Sequence, residues 1–354
     1  MNNDLENIIN ILKELMKFKS ISANKAVILE ILKYIKGLIP DNLYIEEYEF
    51  ENYPALVISN TKEKYFDLVF CTHVDVVPCE KYECIETEFD ICGRGSFDMK
   101  GSLAVCIHTL QNSKTDSKIA LFITSDEEIS GNCAKELLKI YSAKFAVVPD
   151  GGNDFDLIVE EKGLLQLKII CDTISAHAGE PYNGENAITK LMDIYQNLVH
   201  EYPLPINLAD YKTSICLSKI IGGDVINKVA SHAEMYLDIR HTEEDSKESI
   251  VDFISSVDSA LKIEVIEKGE IFKTETNNKY VKQYISCARK ILKNKIKFST
   301  LGTTSDAVYF YKNNIPTVIM NPIGKSPHGI NESVNKESLL NLYKIYQEYI
   351  KLYL

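Results

Sequence analysis

Four short apolar segments constrain the fold most, because each runs directly into a loop rich in glycine or acidic residues. These segments and the loops that follow them are residues 67–71 before THVDVVP, 119–124 before SDEEISG, 145–148 before PDGG, and 317–320 before NPIGKSPHG. Stretches with helical spacing lie between them, for example residues 102–110 and 133–141. Alternating strands and helices predict an α/β fold with a mainly parallel sheet covered by helices. Polar residues that follow such strands should meet at one sheet edge.

The middle of the chain shows a different order of elements. Six segments read as strand, helix, strand, strand, helix and strand: residues 164–171, 186–199, 214–221, 233–239, 249–261 and 263–266. This β-α-β-β-α-β order is the split βαβ, or ferredoxin-like, pattern, and about 110 residues suffice for a separate small domain. We therefore expect an inserted domain over residues 163–270. Residues 1–162 and 271–354 would then form one discontinuous sheet domain.

Charge and cysteine usage exclude several classes of protein. The net charge of −12 argues against a nucleic-acid partner, because phosphate binding needs clustered lysine and arginine. The nine cysteines have no CxxC pair or regular spacing, which favours reduced thiols. The N-terminus lacks the pattern of a signal peptide, and no apolar run approaches the roughly 18 residues of a membrane span. We expect a soluble, cytoplasmic protein that binds neither nucleic acid nor membrane.

Histidines and carboxylates recur in loops, most of which follow the predicted strands, and one of which is the glycine-rich segment 93–101. The candidates are His73, Asp75, Asp98, Glu127, Glu128, Asp150 and His328. Each alone has a simpler explanation: an aspartate after a strand is more often a helix cap, and a pair of glutamates usually lies in solvent at a helix start. Together at one sheet edge, these groups would repel one another unless cations lay among them.

Two divalent metal ions need about this set of side chains. Each ion takes one imidazole and one terminal carboxylate, and a carboxylate and a water bridge the pair. Histidine and carboxylate ligands suit zinc, with cobalt or manganese as substitutes. Asp75, two residues beyond His73, could accept the second imidazole N–H and fix its tautomer. Glu127 and Glu128 are adjacent and diverge, so one can bind metal while the other acts as a general base.

Two segments carry a family resemblance. Residues 71–78 contain H-x-D-V-V-P, and residues 93–101 match G-x-G-x-x-D-M-K-G. Both resemble signatures of the di-zinc aminoacylase and metallopeptidase family that includes acetylornithine deacetylase, succinyl-diaminopimelate desuccinylase, carboxypeptidase G and tripeptidase T. The resemblance spans essentially the whole chain in the expected order. It implies a zinc-exopeptidase-like catalytic domain with an inserted dimerisation or lid domain.

The resemblance also implies a role for each candidate in the sheet domain. His73 and Asp150 would hold one metal ion, and Glu128 and His328 would hold the other. Asp98 would bridge the two ions. Glu127 would take a proton from the bridging water as it attacks the carbonyl, and would then pass that proton to the departing amine.

In the inserted domain the resemblance implies contacts with substrate and partner. Ser175-Ala176-His177-Ala178 looks like part of the family's dimerisation-domain signature. His177 would reach the site of a partner subunit and polarise the tetrahedral oxyanion, which implies an obligate homodimer. Asn227 and Arg240 lie in a stretch similar to one that binds a substrate carboxylate. Thr303 lies in a loop similar to one that faces the substrate.

Arginine usage gives independent support for one of these residues. The arginines are Arg94, Arg240 and Arg289, among 39 lysines and arginines in total. An arginine in so lysine-rich a chain indicates that a planar, bidentate group is needed, as for carboxylate binding at position 240. A chance arginine at a strand end is the simpler alternative.

The resulting hypothesis is hydrolysis of R–CO–NH–CH(R′)–COO⁻, where the substrate is a small N-acyl amino acid of arginine, lysine or diaminopimelate metabolism. A di- or tripeptide is the second candidate, because Asp150-Gly151-Gly152 is more similar to the tripeptidase than to the Glu-Pro of the deacylases. A catalytically silent metal-binding protein is a remote alternative, since it would have no reason to keep Glu127. A two-metal phosphatase lacks support, because no phosphate cradle accompanies the site.

Overall fold

The computed structural model describes residues 3–80, 82–207, 210–293 and 296–354. Over these residues the helices are α1 (Asn3–Met16), α2 (Lys25–Leu38), α3 (Lys100–Asn112), α4 (Asn132–Ile140), α5 (Ala187–Glu201), α6 (Lys247–Val257), α7 (Lys279–Leu292), α8 (Ala307–Lys312) and α9 (Lys336–Tyr353). The strands are β1 (Tyr44–Phe50), β2 (Tyr53–Ser59), β3 (Tyr65–Phe66), β4 (Leu68–His73), β5 (Ile85–Glu86), β6 (Asp90–Cys92), β7 (Ile119–Thr124), β8 (Ser142–Ala143), β9 (Ala146–Val148), β10 (Leu157–Glu161), β11 (Gly163–Asp172), β12 (Ser214–Gly222), β13 (His232–His241), β14 (Lys262–Lys268), β15 (Phe272–Lys273), β16 (Phe298–Leu301), β17 (Thr317–Ile319), β18 (Gly324–Lys325) and β19 (Ser333–Asn335).

These elements form two compact units. The first comprises Met1–Val159, Lys273–Thr300 and Ser305–Leu354, and the second comprises Glu160–Phe272 and Leu301–Thr304. The sequence prediction began the inserted domain at residue 163 and ended it at residue 270. It did not anticipate that residues 301–304 would group with the insert.

The first unit is built on a mixed sheet with the strand order β1-β2-β7-β4-β9-β17-β10-β15, and β16 lies beside β10. The neighbours β7, β4, β9 and β17 at its centre run parallel. Strands β1, β2 and β10 pair antiparallel with their neighbours. The predicted mainly parallel sheet is therefore confirmed at the centre, and the antiparallel flanks are an addition. The polar edge strand β1 gave no clear apolar signal in the sequence, because its side chains are exposed or only partly buried.

Helices cover both faces of the central strands, as predicted. Every residue of β4 and β7 is buried. The ring centroid of Phe70 in β4 lies 4.7 Å from that of Tyr346 in α9. Phe122 in β7 pairs with Cys71, which follows Phe70, so it faces the other side of the sheet. Its ring centroid is 6.2 Å from that of Phe310 in α8.

The second unit has the order β11-α5-β12-β13-α6-β14, and its sheet has the strand order β12-β13-β11-β14 with antiparallel pairing. This confirms the expected ferredoxin-like fold. The inward face of β11 presents Leu165, Leu167 and Ile169 to a core that also contains Leu191 from α5 and Ile250 from α6. The opposite residues of β11 are only partly buried, which gives the alternation typical of a sheet with one covered face.

A small sheet of the first unit, in the order β18-β19-β6-β5, was not predicted. Its strands have only two or three residues, too few to produce a periodic signal in the sequence. Strand β19 pairs antiparallel with β6, with Ser333 opposite Cys92. This pairing brings the loop after β6 close to the loop before β19.

Two observations concern the chain as a whole. All nine cysteines are among the described residues, and all are free thiols. In the described ranges, no helix combines the length and the apolar character needed to cross a membrane.

Candidate metal centre

Three neighbouring parallel strands deliver acidic and imidazole side chains to one edge of the first unit's sheet. His73 is the last residue of β4. Glu127 and Glu128 follow β7, and Asp150 follows β9. Since β7, β4 and β9 are adjacent and parallel, their carboxyl ends lie at the same edge. The buried strands fix the positions of these four side chains.

The small sheet delivers the other two predicted ligands. Asp98 lies between β6 and α3, and His328 lies between β18 and β19. Because β6 and β19 are paired, the two loops meet. The backbone of His328 has φ +60°, a left-handed conformation that residues other than glycine seldom adopt. Surrounding contacts must therefore hold this turn in place.

Among the described residues, two groups of side chains could each hold a metal ion: His73, Glu127 and Asp150, and Asp98, Glu128 and His328. Within each group the donor atoms lie within 4.8 Å of one another. Asp98 lies between the two imidazoles, with Oδ1 3.3 Å from His73 Nε2 and Oδ2 3.1 Å from His328 Nε2. Glu128 Oε2 lies 3.0 Å from His328 Nε2.

The grouping differs from the predicted ligand sets at Glu127. From the sequence, Glu127 was predicted to be the general base that acts on the bridging water, and not a metal ligand. Its Oε2 lies 3.9 Å from His73 Nε2, at a distance similar to that of Asp150 Oδ2, which is 3.7 Å away. Glu127 is therefore close enough to contact a metal ion held by His73 and Asp150, or a water molecule beside it.

Burial and like charge set the electrostatics of the centre. Burial, together with the charge of Asp98, raises the pKa of the Asp150 carboxyl to about 7. Burial, followed by the charge of Asp150, raises the pKa of Glu127 well above its usual value. Hydrogen bonds to Asp98 and Glu128 raise the pKa of the His328 imidazole to about 10. The repulsion between these carboxylates therefore disfavours their ionised forms unless positive charge lies among them.

The donor atoms fit divalent metal ions. Nε2 of His73 is buried and makes no hydrogen bond to any described residue, although Asp98 Oδ1 and Asp150 Oδ2 lie 3.3 and 3.7 Å away. Metal–ligand bonds of about 2.0–2.1 Å in a tetrahedral site put neighbouring ligand atoms about 3.3 Å apart. Imidazole nitrogen and carboxylate oxygen are ligands that zinc, cobalt and manganese accept. The unpartnered nitrogen is thus placed as a metal ligand would be.

Asp75 lies beside His73 through its main-chain oxygen as well as through its carboxylate. The sequence placed the second imidazole nitrogen of His73 on the Asp75 carboxylate. In the structure, His73 Nδ1 lies 3.0 Å from the main-chain oxygen of Asp75 and 3.4 Å from Oδ1 of its carboxylate. The other carboxylate oxygen, Oδ2, accepts from Ser22 Oγ (2.7 Å) and from the N–H of Glu128 (3.2 Å). Asp75 therefore connects the two groups of potential metal ligands. Its carboxylate lies beside His73 of one group and accepts from the N–H of Glu128 of the other.

Three buried residues around the centre were missed in the sequence. Oε1 of Glu332 accepts from the N–H groups of Phe97 (2.9 Å) and Asp98 (3.1 Å), and Oε2 accepts from Arg94 Nη1 (2.5 Å). With its amide oriented to satisfy its neighbours, Asn321 donates to the Pro149 carbonyl and accepts from the Gly151 N–H (3.1 Å). The rarity of arginine, which drew attention to Arg240, applies equally to Arg94. Glu332 and Asn321 carried no comparable signal.

The remaining predicted site residues lie in the second unit. His177 and Asn227 are exposed on two loops, and the loops are joined where the Ala178 N–H donates to the Asn227 carbonyl at 3.0 Å. Arg240 is engaged within its own strand, since its Nε donates to Asp238 Oδ1 at 2.9 Å. Thr303 is exposed. The structure brings His177 and Asn227 together, and it gives Arg240 a carboxylate partner that the sequence did not predict.

A sheet with a parallel centre, at whose edge two adjoining groups of imidazoles and carboxylates meet, fits the class of dinuclear metallohydrolases. The chain belongs to peptidase family M20/M25/M40, whose sequence model matches residues 69–352. The family is dinuclear metal-dependent, and its members hydrolyse amide or peptide bonds. The family resemblance is thereby confirmed, and the protein is a hydrolase that acts on such bonds.

The chain is similar over most of its length to proteins that are named for different activities. A LysW-lysine/LysW-ornithine hydrolase from Sulfurisphaera tokodaii is 29% identical over 293 residues, covering 80% of this chain and 81% of the relative. A succinyl-diaminopimelate desuccinylase from Pelagibacter ubique is 26% identical over 386 residues, covering 98% and 99%. The crystal structure of a Staphylococcus aureus tripeptidase superposes with a TM-score of 0.83 at 24% identity and covers 98% of both chains. This last similarity establishes the fold.

Proposed function

We propose that the protein uses two divalent metal ions to hydrolyse the amide bond of a small N-acyl amino acid. One observation carries the proposal: the consecutive residues Glu127 and Glu128 belong to different groups of potential metal ligands, and Asp98 lies between the imidazoles of both groups. Two ions with a shared carboxylate would occupy such an arrangement. A protein that only bound metal would not need a further carboxylate beside the first ion.

The reaction follows from the positions of the protein groups. Two divalent ions held here would polarise the substrate carbonyl and make a nearby water more acidic. Glu127 would accept a proton from that water as the new C–O bond forms. The C–N bond would then break, and Glu127 would deliver the proton to the departing amine. Burial of Glu127 favours this role, because it raises the pKa of the carboxyl well above its usual value and so makes the carboxylate a stronger proton acceptor.

The substrate class is proposed from the relatives and from the second unit. The two sequence relatives are named for hydrolysis of LysW-lysine or LysW-ornithine and of succinyl-diaminopimelate. We therefore propose a substrate in which an acylated amine carries a free carboxylate, with Arg240, Asn227 and Thr303 contacting the carboxylate end. A di- or tripeptide is the second candidate, supported by the Asp150-Gly151-Gly152 segment and by the similarity of the fold to a tripeptidase.

Zinc is the proposed metal, since imidazole and carboxylate are both among its usual ligands, with cobalt or manganese as substitutes. We also propose that the enzyme is a homodimer in the cytoplasm. In that dimer, His177 would act in the site of the partner subunit and stabilise the oxyanion of the tetrahedral intermediate. The exposure of His177 on its loop supports this role, because the side chain is accessible to another subunit.

A substitution that removes the base and leaves the metal ligands in place tests the proposal. Glu127→Gln should keep two bound ions, measured by elemental analysis, while kcat falls by several orders of magnitude. Glu30→Gln, an exposed residue of α2, is the control and should behave like the wild type. If Glu127→Gln were as active as the wild type, the base would be another residue.

Substrate panels distinguish the two candidate activities. The zinc-loaded protein would be assayed on N-acetylornithine, N-succinyl-diaminopimelate and a set of di- and tripeptides. We expect the highest kcat/KM on one of the N-acyl amino acids. Activity confined to the peptides would exclude the deacylase and establish the exopeptidase.

A further inference from the structure

We propose that Glu332 and Arg94 are positioning residues that hold Asp98 and His328 at the spacing needed to bind a metal ion. The inference rests on the proposed function, because it takes Asp98 and His328 as metal ligands. It assigns a role to an ion pair that lies outside both groups of potential metal ligands. The pair acts through the main chain of the ligands.

The first step is the contact of Glu332 with the loop that carries Asp98. Glu332 is 1% exposed, and one oxygen of its carboxylate accepts from the N–H of Asp98 and the N–H of Phe97. Two hydrogen bonds to a single charged oxygen are strong and directional. They fix the backbone at Asp98, and the direction of the Asp98 carboxylate depends on that backbone.

The second step is the contact of Arg94 with the loop that carries His328. Nη1 of Arg94 donates to the other oxygen of Glu332, and Nη2 donates to the main-chain carbonyl of His328 at 2.7 Å. His328 has the left-handed backbone conformation described above, which persists only where neighbouring groups hold it. A planar guanidinium can make both contacts at once, whereas a lysine ammonium is a single point of charge.

The third step separates positioning from general stabilisation of the fold. The segments of Arg94 and Glu332 are already joined by main-chain bonds, because the Gly93 N–H donates to the Glu332 carbonyl at 2.8 Å and Ser333 pairs with Cys92. The ion pair is therefore not needed to bring the segments together. Its side chains bond to the main chain of Phe97, Asp98 and His328. The ion pair therefore acts on the stretches of backbone that carry the two proposed metal ligands.

Arg94→Lys tests the inference, with Arg289→Lys, an exposed residue of α7, as the matched control. The full-length protein without metal would be titrated with Zn²⁺ by calorimetry and with Co²⁺ by visible absorption. We expect the wild type and the control to bind two ions. In Arg94→Lys, one ion should bind about 10–100-fold more weakly and the other should stay within about threefold of wild type. The Co²⁺ absorption of the weakened site should change as well.

Glu332→Gln provides a second, independent variant, with the exposed Glu337→Gln as its control. The amide oxygen of glutamine can still accept from Phe97 and Asp98, but its NH₂ group would face the donors of Arg94. We expect the same loss at one ion as in Arg94→Lys, even if Arg94→Lys itself does not fold.

The outcomes separate this inference from the proposed function. If the wild type bound no ions, the proposed function would fail and this inference with it. If the wild type bound two ions and a folded Arg94→Lys or Glu332→Gln variant bound both with wild-type affinity, only the positioning role would be wrong. Equal weakening of both ions together with a lower melting temperature of the metal-free variant would also overturn it, because the effect would then be a general loss of stability.

Discussion

The two units place most of their functional candidates in different environments. In the first unit, His73 at the end of the buried strand β4 and Asp75 just beyond it are 1% and 0% exposed, and His328 is the exposed exception. In the second unit, only one face of the sheet is covered, and His177 and Asn227 lie exposed on loops. Buried charges must be paired or bound to metal ions. The clustering of the first unit's candidates is therefore itself evidence of a metal site. The exposed residues of the second unit are stable without partners, so burial gives no evidence of their role.

The largest effect is expected from the carboxylate between the two groups of the first unit. Asp98→Ala removes oxygens that lie near both His73 and His328, so we expect the loss of both ions. Turnover should fall by at least about 10⁴-fold, because no ion would remain to polarise the carbonyl. Elemental analysis and kcat measure the result, with the exposed Asp116→Ala as control. If Asp98→Ala retained two ions, the groups would be independent sites and not one centre.

The next largest effect tests whether the second unit contributes to catalysis at all. His177→Ala should lower kcat by about 10²–10³-fold, as for removal of one oxyanion donor, and should leave both ions bound. An effect on metal content would show that His177 supports the centre and does not act on the substrate. A variant with unchanged kcat would restrict catalysis to the first unit.

Subunit mixing shows in which subunit His177 acts. If it acts in the partner's site, a mixed dimer of Glu127→Gln and His177→Ala contains one complete site. Equal amounts of the two inactive variants, after exchange, should recover about a quarter of wild-type activity, since half of the dimers are mixed. Each variant alone, taken through the same exchange, is the control. No recovery from dimers shown to have exchanged would place His177 in the site of its own subunit.

This contrast also explains what the sequence could predict. The central strands were found because full burial requires continuous apolar runs, and the two-residue strands were missed because they are too short to show a period. His73 and Glu128 were recognisable because polar residues at the ends of apolar strands should meet at one sheet edge, and Asp98 was recognisable as an acidic residue in the glycine-rich segment 93–101. Glu332 was not recognisable, because its partners come from a loop more than 230 positions away. His177 was singled out only through family resemblance.

A smaller effect is expected for the main-chain support of Asp150. Asn321 contacts the carbonyl before Asp150 and the N–H after it, so Asn321→Ala should loosen this ligand without removing it. We expect about 10–100-fold weaker binding of one ion, measured by calorimetry. The exposed Asn314→Ala, in the turn before β17, is the control. Wild-type affinity for both ions would show that the strand end alone fixes Asp150.

Arg240 tests whether a half-buried residue of the second unit binds substrate. Arg240→Lys keeps the charge but loses the planar fork, so KM should rise about 10–100-fold while kcat changes little. Arg289→Lys is the matched control. Arg240 is also paired with Asp238, which offers a purely structural explanation for the arginine. That explanation predicts an unchanged KM and a lower melting temperature.

The smallest effect tests whether the two units can be perturbed separately. The side chain of Asn186 caps α5 in the second unit by accepting from the N–H groups of Ile188 (3.0 Å) and Thr189 (3.3 Å). Asn186→Ala should lower the free energy of unfolding by about 1 kcal/mol, measured by denaturant titration, and leave both ions bound. Asn278→Ala removes the corresponding cap of α7 in the first unit and should cost a similar amount. If Asn186→Ala weakened metal binding, the buried centre of the first unit would depend on the fold of the second, and the contrast between them would be incomplete.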